Sequence, residues 1–324
     1  MALPTLLVIV TLAFALLRLT PGGPFDGDKP MMPEIRRSIE ARYNLNEPVW
    51  QQYLHYLGNL ARGDLGPSFQ YRNTSVNELI AQGMPVDVTI GGAALLLALL
   101  VGSSIGTLAA LRRNSWLDYA CMSLAGFGIS VPVLVIAPVL ILVFAVRLQW
   151  LPAGDWVAGS WRHMLLPVIA LAWPYSATIA RLIRGSMIDA LASAFVRTAV
   201  AKGLPLHTIL LRHALRPAML PVVAYLGPAL AGVITGSIII ETVFGLPGIG
   251  RQFVTGALNR DYTVVMGVTV LYGALIILCN LLADLCHAWL DPRIRAGQCR
   301  GPARGAKPGS DCAGIAQPSP AWCC

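Results

Sequence analysis

Residues 86–111 read VDVTIGGAALLLALLVGSSIGTLAAL, a run long and apolar enough to cross a lipid bilayer as one helix. A membrane-spanning helix needs about 20 mostly apolar residues. Five further stretches meet that condition or come close to it, so the sequence predicts six transmembrane helices, at residues 2–19, 86–111, 117–146, 164–183, 218–243 and 263–290. The predicted fold class is all-α, a polytopic membrane protein.

The composition of the whole chain also indicates a bilayer as its solvent. Of the 324 residues, 56% are apolar and 12% are charged, and the mean hydropathy is +0.63. A soluble domain carries about 25% charged residues, so the composition excludes an ordinary cytosolic enzyme. The net charge of +8 is explained by loops that face anionic lipid, and we predict no nucleic-acid partner.

Basic residues are concentrated in one set of loops, and this bias predicts the orientation. The loops at 112–118, 184–217 and 291–324 carry twelve basic and four acidic residues, whereas those at 20–85, 147–163 and 244–262 carry ten basic and nine acidic ones. Cytoplasmic loops carry the excess of Lys and Arg. The first set is therefore predicted to be cytoplasmic, and six spans place both termini on that side.

The non-membrane segments differ in composition. Residues 20–85 contain apolar residues at helical spacing and are predicted to form an extracytoplasmic helical segment, followed by a five-helix transmembrane core at 86–290. Residues 291–324 are rich in Gly, Pro, Ala and Ser, which predicts a disordered cytoplasmic tail. For residues 1–19 a signal peptide is the alternative to a first span, although no positive charge precedes the apolar run.

No motif for covalent chemistry is present in the sequence. There is no Gly-Lys-Ser or Gly-Lys-Thr of a nucleotide-binding loop, no His-Glu-x-x-His and no Gly-x-Ser-x-Gly. Four of the seven cysteines lie in the tail, without a ligand pair at zinc spacing and without histidine. We therefore predict no catalytic residue and no metal site.

Acidic residues inside membrane spans are functional candidates by default. Glu241 lies near the outer end of the fifth span and Asp284 near the inner end of the sixth. Two interpretations of Glu241 remain open: a cap beside the turn at 245–247, or a residue at the outer mouth of a translocation path. An ion-coupled secondary carrier that uses Glu241 and Asp284 is the alternative function.

The loop between the fourth and fifth spans is the most unusual cytoplasmic stretch. Residues 195–221 read FVRTAVAKGLPLHTILLRHALRPAMLP. Gly203-Leu204-Pro205 interrupts two short helical segments, which predicts a helix-turn-helix elbow beside the membrane, with a glycine free to adopt a positive φ. The alternative interpretation is an amphipathic loop whose basic residues contact lipid headgroups.

The elbow resembles the coupling loop of binding-protein-dependent ABC importer permeases, and within them the dipeptide and oligopeptide branch. Arg197 stands where the general family pattern has Glu, a substitution that resembles the peptide branch. Further matching motifs lie at 44–48, 63–69, 184–187, 236–250 and 291–293, and residues 1–295 as a whole resemble such a permease. The resemblance implies a type I ABC importer fold and a role like that of the first of two permease subunits.

What the resemblance implies for function is a non-catalytic subunit that moves peptides across the bacterial inner membrane. The implied partners are a second homologous permease, two cytoplasmic ATPase subunits, an extracytoplasmic peptide-binding protein and membrane lipid, with ATP and Mg²⁺ bound by the ATPase subunits and no cofactor on this chain. The implied ATPase-coupling residues are Arg197, Thr198, Ala199, Ala201, Lys202, Gly203, Leu204, Arg212 and His213, and those of a translocation path are Ser237, Glu241 and Asp284.

Two features of the chain depart from that family. The short basic segment that usually precedes the first span is missing, which leaves open a truncated span or a misplaced start. The tail after Arg295 has no counterpart, and we assign it no role. The exact solute, whether a dipeptide, an oligopeptide, a nickel chelate or another small molecule, also stays open.

Overall fold

The structure, a computed structural model, describes residues 2–19, 47–71 and 73–290, and the regular elements in these ranges are helices. The predicted tail at 291–324 and residues 20–46 of the predicted extracytoplasmic segment lie outside the described residues. In chain order the helices are α1 Ala2–Leu19, α2 Val49–Ala61, α3 Val76–Leu111, α4 Trp116–Ser130, α5 Val133–Leu140, α6 Trp161–Ala192, α7 Ala194–Ala201, α8 Leu206–Thr208, α9 Leu215–Ala218, α10 Leu220–Phe244, α11 Ile249–Leu258 and α12 Tyr262–Leu290.

Two π-helical segments continue or join these helices. α5 continues into Ile141–Arg147, and Ile209–Ala214 joins α8 to α9. Single π-helical turns inside helical segments are rare and are often found at functional sites. One of the two lies in the predicted elbow.

The long helices are those that a membrane protein requires. α3, α6, α10 and α12 are each long and apolar enough to cross a bilayer, and the bent pair formed by α4 and the segment 133–147 could supply a fifth span. α1 is apolar but shorter. The all-α fold class is confirmed, and the predicted six spans are compatible with this set when α1 is counted.

The third predicted span is not one straight helix. It bends by 103° between Trp116–Ser130 and Val133–Arg147. Pro132 has no N–H group to continue the helix, and it moves Val131 into an extended conformation with ψ of 121°. A single helix over residues 117–146 was therefore the wrong prediction, and the proline explains the break.

α3 begins ten residues before the predicted start of the second span. Ser75 Oγ accepts a hydrogen bond from Glu78 N at 3.2 Å, and Ser75 N donates one to Glu78 Oε2 at 3.3 Å. This reciprocal capping box satisfies two backbone groups at the start of the helix. The extension carries α3 past the apolar run and into contact with α11 and α12.

Close packing of α3 on α6 forms the centre of the bundle. A Cβ atom added to Gly102 would lie 2.6 Å from Ser176 O, and one added to Gly106 would lie 2.5 Å from Ala180 O. The two glycines, four residues apart, therefore let the two backbones touch, as in small-residue interfaces of membrane helices. The largest buried cluster lies beside this contact and includes Ile90, Leu171 and Ile240.

Candidate functional site

The predicted elbow is present and has a small core of its own. α7 ends at Ala201, Gly203 adopts a φ of +72°, and the chain then turns into α8. Val196, Ala199 and Ile209 are buried against one another. Ala199 is thus packed inside the elbow, where its small side chain allows the two segments to approach.

The outer face of the elbow is apolar and exposed. The large apolar residues on this face each expose between 38% and 67% of their surface. They are Phe195, Val200, Leu204 and Leu211. Except for Ala199, which is buried, and His213, which is half-buried, the predicted coupling residues are exposed: Arg197, Thr198, Ala201, Lys202, Gly203, Leu204 and Arg212. A free apolar surface rimmed by cations suits a partner surface or a membrane interface.

The second candidate site lies at the end of α10 far from the elbow. Glu241 is 1% exposed, and its Oε1 accepts a hydrogen bond from Ser237 Oγ. Its Oε2 accepts one from Arg251 N at 2.9 Å. Ser237 and Glu241, two of the three residues predicted for a translocation path, are therefore hydrogen-bonded to each other, and Glu241 caps the following helix.

A second acidic residue, which sequence reasoning missed, completes this site. Asp87 on α3 is 7% exposed, and its Oδ2 accepts a hydrogen bond from Ile249 N at 3.1 Å. A Cβ added to Gly248 would overlap both Asp87 Oδ1 and Glu241 Oε2, so the two carboxyl groups face the same point. Asp87 was visible as the one acidic residue in the apolar run 86–111.

Asp284 is not part of this site. It lies on an exposed part of α12, 12 residues after Tyr272, the α12 residue that faces Asp87 and Glu241. Twelve helical residues span about 18 Å. The structure therefore separates the two carboxylates that an ion-coupled carrier was expected to use.

Asp261 is a further polar centre that the sequence did not reveal. It is 1% exposed and precedes α12. Its Oδ2 accepts hydrogen bonds from Ser68 Oγ at 2.5 Å and from Phe69 N and Gln70 N at 3.1 Å each. Because its partners are almost 200 residues away in the sequence, no local spacing could have indicated this role.

A recess of about 250 Å³ lies between α1, α2 and the beginning of α12. Its wall includes Arg18, Gln52 and Tyr56, and Arg18 donates a hydrogen bond to Gln52 Oε1. Burial raises the pKa of Tyr56 to about 12. The Tyr56 hydroxyl therefore stays protonated and available as a donor at physiological pH.

Comparison with protein families and curated proteins gives one consistent result. The family model described as binding-protein-dependent transport system inner membrane component matches residues 102–296. The oligopeptide transport system permease protein OppB of Salmonella typhimurium is 52% identical over 294 residues, covering 91% of this chain and 96% of that protein. The dipeptide transport system permease protein DppB of Bacillus subtilis is 44% identical over 291 residues, covering 90% of this chain and 94% of that protein.

Solved structures show a related fold. An inward-facing conformation of the MetNI methionine ABC transporter matches with a TM-score of 0.56 and 17% identity, over 66% of this chain and 96% of that chain. An amino acid ABC transporter with histidines matches with a TM-score of 0.51 and 18% identity, over 66% and 94% of the two chains. At this level of identity the likeness concerns the helical arrangement.

Proposed function

Because this chain belongs to the family of binding-protein-dependent transport system inner membrane components, we propose that it is a permease subunit that imports peptides with energy from separate ATPase subunits. The relatives are named for oligopeptide and dipeptide transport, which supports peptides as the substrate class. The chain supplies a path through the membrane and no catalytic residue. ATP and Mg²⁺ bind to the partner subunits.

The observation that carries this proposal is the exposed apolar face of the elbow. Val200 and Leu204 lie on opposite sides of the Gly203 turn and are both exposed, while Val196 and Ile209 hold the two segments together from inside. An elbow with its own core can move as a unit when a partner binds its outer face. Closure of two ATPase subunits on ATP would then become motion of α6 and α10, which flank the elbow.

The proposed complex contains two permeases and two ATPase subunits. One ATPase subunit holds each elbow, and a peptide-binding protein docks on the opposite side of the membrane. The distribution of basic residues supports a bacterial inner-membrane orientation with the elbow and both termini in the cytoplasm. Coordinated rocking of helix bundles around a central path then provides alternating access.

A crosslinking experiment tests the role of the elbow. A photoreactive amino acid at Val200, in membranes that contain the whole complex, should crosslink to an ATPase subunit in an ATP-dependent manner. Crosslinks to phospholipid alone would overturn the proposal. The matched control is the same photoreactive group at Val157, which is also exposed but lies in the loop between α5 and α6.

A charge substitution separates the partner surface from the lipid surface. Val200→Lys should abolish peptide uptake if a protein groove covers this side chain, because the ammonium group would be desolvated there. Anionic headgroups would instead accept the new cation, and uptake would be retained. Val157→Lys is the control for expression and membrane insertion.

The energy source tests the alternative, an ion-coupled carrier. In proteoliposomes that contain the purified complex, peptide uptake should require ATP inside the compartment that holds the ATPase subunits, and it should continue after the proton gradient is collapsed. Uptake driven by a proton gradient without ATP would favour the carrier. The exposed position of Asp284, about 18 Å along α12 from Tyr272, gives that alternative little support.

A further inference from the structure

Helix α11 begins without a cap from its own segment. Its N-cap residue is Gly248, which has no side chain, and the first N–H groups of a helix have no partner within the helix. Two carboxyl groups from other helices take their place: Asp87 Oδ2 accepts from Ile249 N, and Glu241 Oε2 accepts from Arg251 N. One helix terminus is therefore held by side chains from both α3 and α10.

The three elements meet with their backbones in contact. A Cβ added to Gly83 on α3 would lie 2.8 Å from Ile249 N and 3.1 Å from Gly248 C. Gly248 is equally confined, because a Cβ there would overlap the carboxyl oxygens of Asp87 and Glu241. The junction can close completely only because both positions are glycine.

The charges of this junction do not balance if both carboxyl groups are ionised. Both side chains are more than nine-tenths buried, and among the described groups none donates a hydrogen bond to Asp87 Oδ1. The neighbouring helices bring two charged or titratable side chains to the pair, Tyr272 and Arg251. The buried hydroxyl of Tyr272 also has no partner among the described groups. The guanidinium of Arg251 donates a hydrogen bond to Gly245 O. The helix terminus contributes only about half a positive charge.

Two carboxyl groups that share a buried site repel each other unless they hold a proton between them. We propose that Asp87 and Glu241 share one proton and together form a latch that clamps the start of α11 between α3 and α10 and closes the outer end of the translocation path. The location of the latch on the outer side rests on the proposed function. When α3 and α10 separate in the outward-open state, at least one of the two carboxyl groups must release its amide.

Thiol accessibility measures whether the latch holds. Ile249 is 1% exposed beneath the junction, so a cysteine introduced by Ile249→Cys, in a background without the seven native cysteines, reports opening to a membrane-impermeant reagent in intact cells. Adding Asp87→Ala should accelerate labelling about tenfold to a hundredfold, the effect expected from losing one charge-assisted hydrogen bond. Adding Asp87→Asn should leave labelling slow, because the amide can accept from Ile249 N and donate to Glu241.

An infrared measurement tests the shared proton directly. The difference spectrum between the purified wild-type complex and the Asp87→Asn complex should contain the C=O stretch of one protonated carboxyl group, because the asparagine amide replaces the proton and leaves Glu241 ionised. A spectrum without that band overturns the shared proton. Equal labelling of Ile249→Cys with and without Asp87→Ala overturns the latch.

These outcomes are distinguishable from a failure of the proposed function. Neither measurement requires peptide uptake or ATP hydrolysis. Labelling of Ile249→Cys only by a reagent applied from the cytoplasmic side would overturn the proposed orientation and with it the outer position of the latch. If Asp87→Ala prevents membrane insertion, Gly248→Ala is the second variant. The added Cβ would separate the carboxyl groups of Asp87 and Glu241 from the start of α11, so labelling of Ile249→Cys should again be faster.

Discussion

Asp118 and Arg184 form a bidentate ion pair, with Arg184 Nε 2.6 Å from Asp118 Oδ1 and Arg184 Nη2 2.7 Å from Asp118 Oδ2. Asp118 lies in the first turn of α4, and its Oδ2 also accepts a hydrogen bond from Asn114 N at 2.9 Å. The pair therefore ties the short connection between α3 and α4 to α6, the helix that leads into the elbow.

Asp118→Asn should lower the unfolding free energy of the complex by about 2 kcal/mol, because it leaves the Arg184 guanidinium without its carboxylate in a partly buried position. The midpoint of thermal unfolding of the purified complex measures this loss, and peptide uptake should fall with it. Asp189→Asn is the matched control, since Asp189 is exposed on the same helix as Arg184 and has no ion pair among the described residues. Equal midpoints for the two variants would contradict this prediction.

Asp261 holds the loop at 66–71 against the start of α12. Asp261 uses both carboxylate oxygens as acceptors: Oδ2 for the loop and Oδ1 for Thr263 Oγ1 and Val264 N. Asp261→Asn should loosen the loop, because asparagine has one acceptor oxygen and cannot satisfy both groups of donors. We expect a loss of about 1.5 to 3 kcal/mol in local stability, the usual value of a hydrogen bond to a charged group. Limited proteolysis of intact cells measures it as faster cleavage within residues 63–75.

The control for the Asp261 variant is Asp155→Asn in another loop. Asp155 is exposed, and the hydrogen bond that its side chain accepts comes from the adjacent Trp156 N. Its replacement should leave the cleavage rate of 63–75 unchanged. Equal cleavage of the Asp261 variant and the control would show that the loop is held by its other contacts, such as the hydrogen bond from Thr263 Oγ1 to Pro67 O.

Long apolar runs predicted the helices well, because the length needed to cross a bilayer is a property of the local sequence. Local signals also existed where the boundaries were wrong. Ser75 and Glu78 form the Ser-x-x-Glu pattern of a capping box, and Pro132 interrupts the run 117–146. The first signal predicts the observed start of α3, and the second predicts the break in the third span.

The polar centres of the molecule could not be predicted in the same way. Asp87 meets Ile249 across 162 positions of sequence, and Asp261 meets Ser68 across 193. Such contacts depend on how the helices pack, which no periodicity within one segment encodes. The elbow could be predicted because its turn is encoded locally, by the three consecutive residues Gly203-Leu204-Pro205.

Gly102 provides a direct test of the close contact between α3 and α6. Gly102→Val would place side-chain atoms against Ser176 O and Ile179, so the helices must separate, at a cost of about 1 to 3 kcal/mol. Gly92→Val is the matched control on the same helix, where a Cβ meets no atom within 4 Å. The thermal midpoint of the purified complex should fall for Gly102→Val and stay near wild type for Gly92→Val; equal midpoints would contradict the packing role.

Substitutions at Gly203 distinguish two roles of this residue: its left-handed backbone conformation and close contact of the elbow with a partner. Its φ of +72° completes the end of α7, where Gly203 N donates to Val200 O at 2.9 Å, and a Cβ would meet no atom of the chain within 4 Å. Gly203→Val forces a β-branched residue into a left-handed conformation at a cost of about 1 to 2 kcal/mol. Asparagine tolerates that conformation much better, so Gly203→Asn should preserve the fold of the elbow.

Peptide uptake and peptide-stimulated ATP hydrolysis of the complex measure the consequence. Gly203→Val should abolish both while the protein remains in the membrane. Gly203→Asn should also reduce both if a partner groove approaches the turn closely, because the added side chain points away from this chain and toward the partner. Gly185→Asn, a site on α6 where a Cβ again meets no atom within 4 Å, controls for membrane insertion. Undiminished uptake by Gly203→Val would exclude the coupling role of the turn. If Gly203→Asn keeps wild-type uptake while Gly203→Val is inactive, glycine is needed at this position only for its backbone conformation.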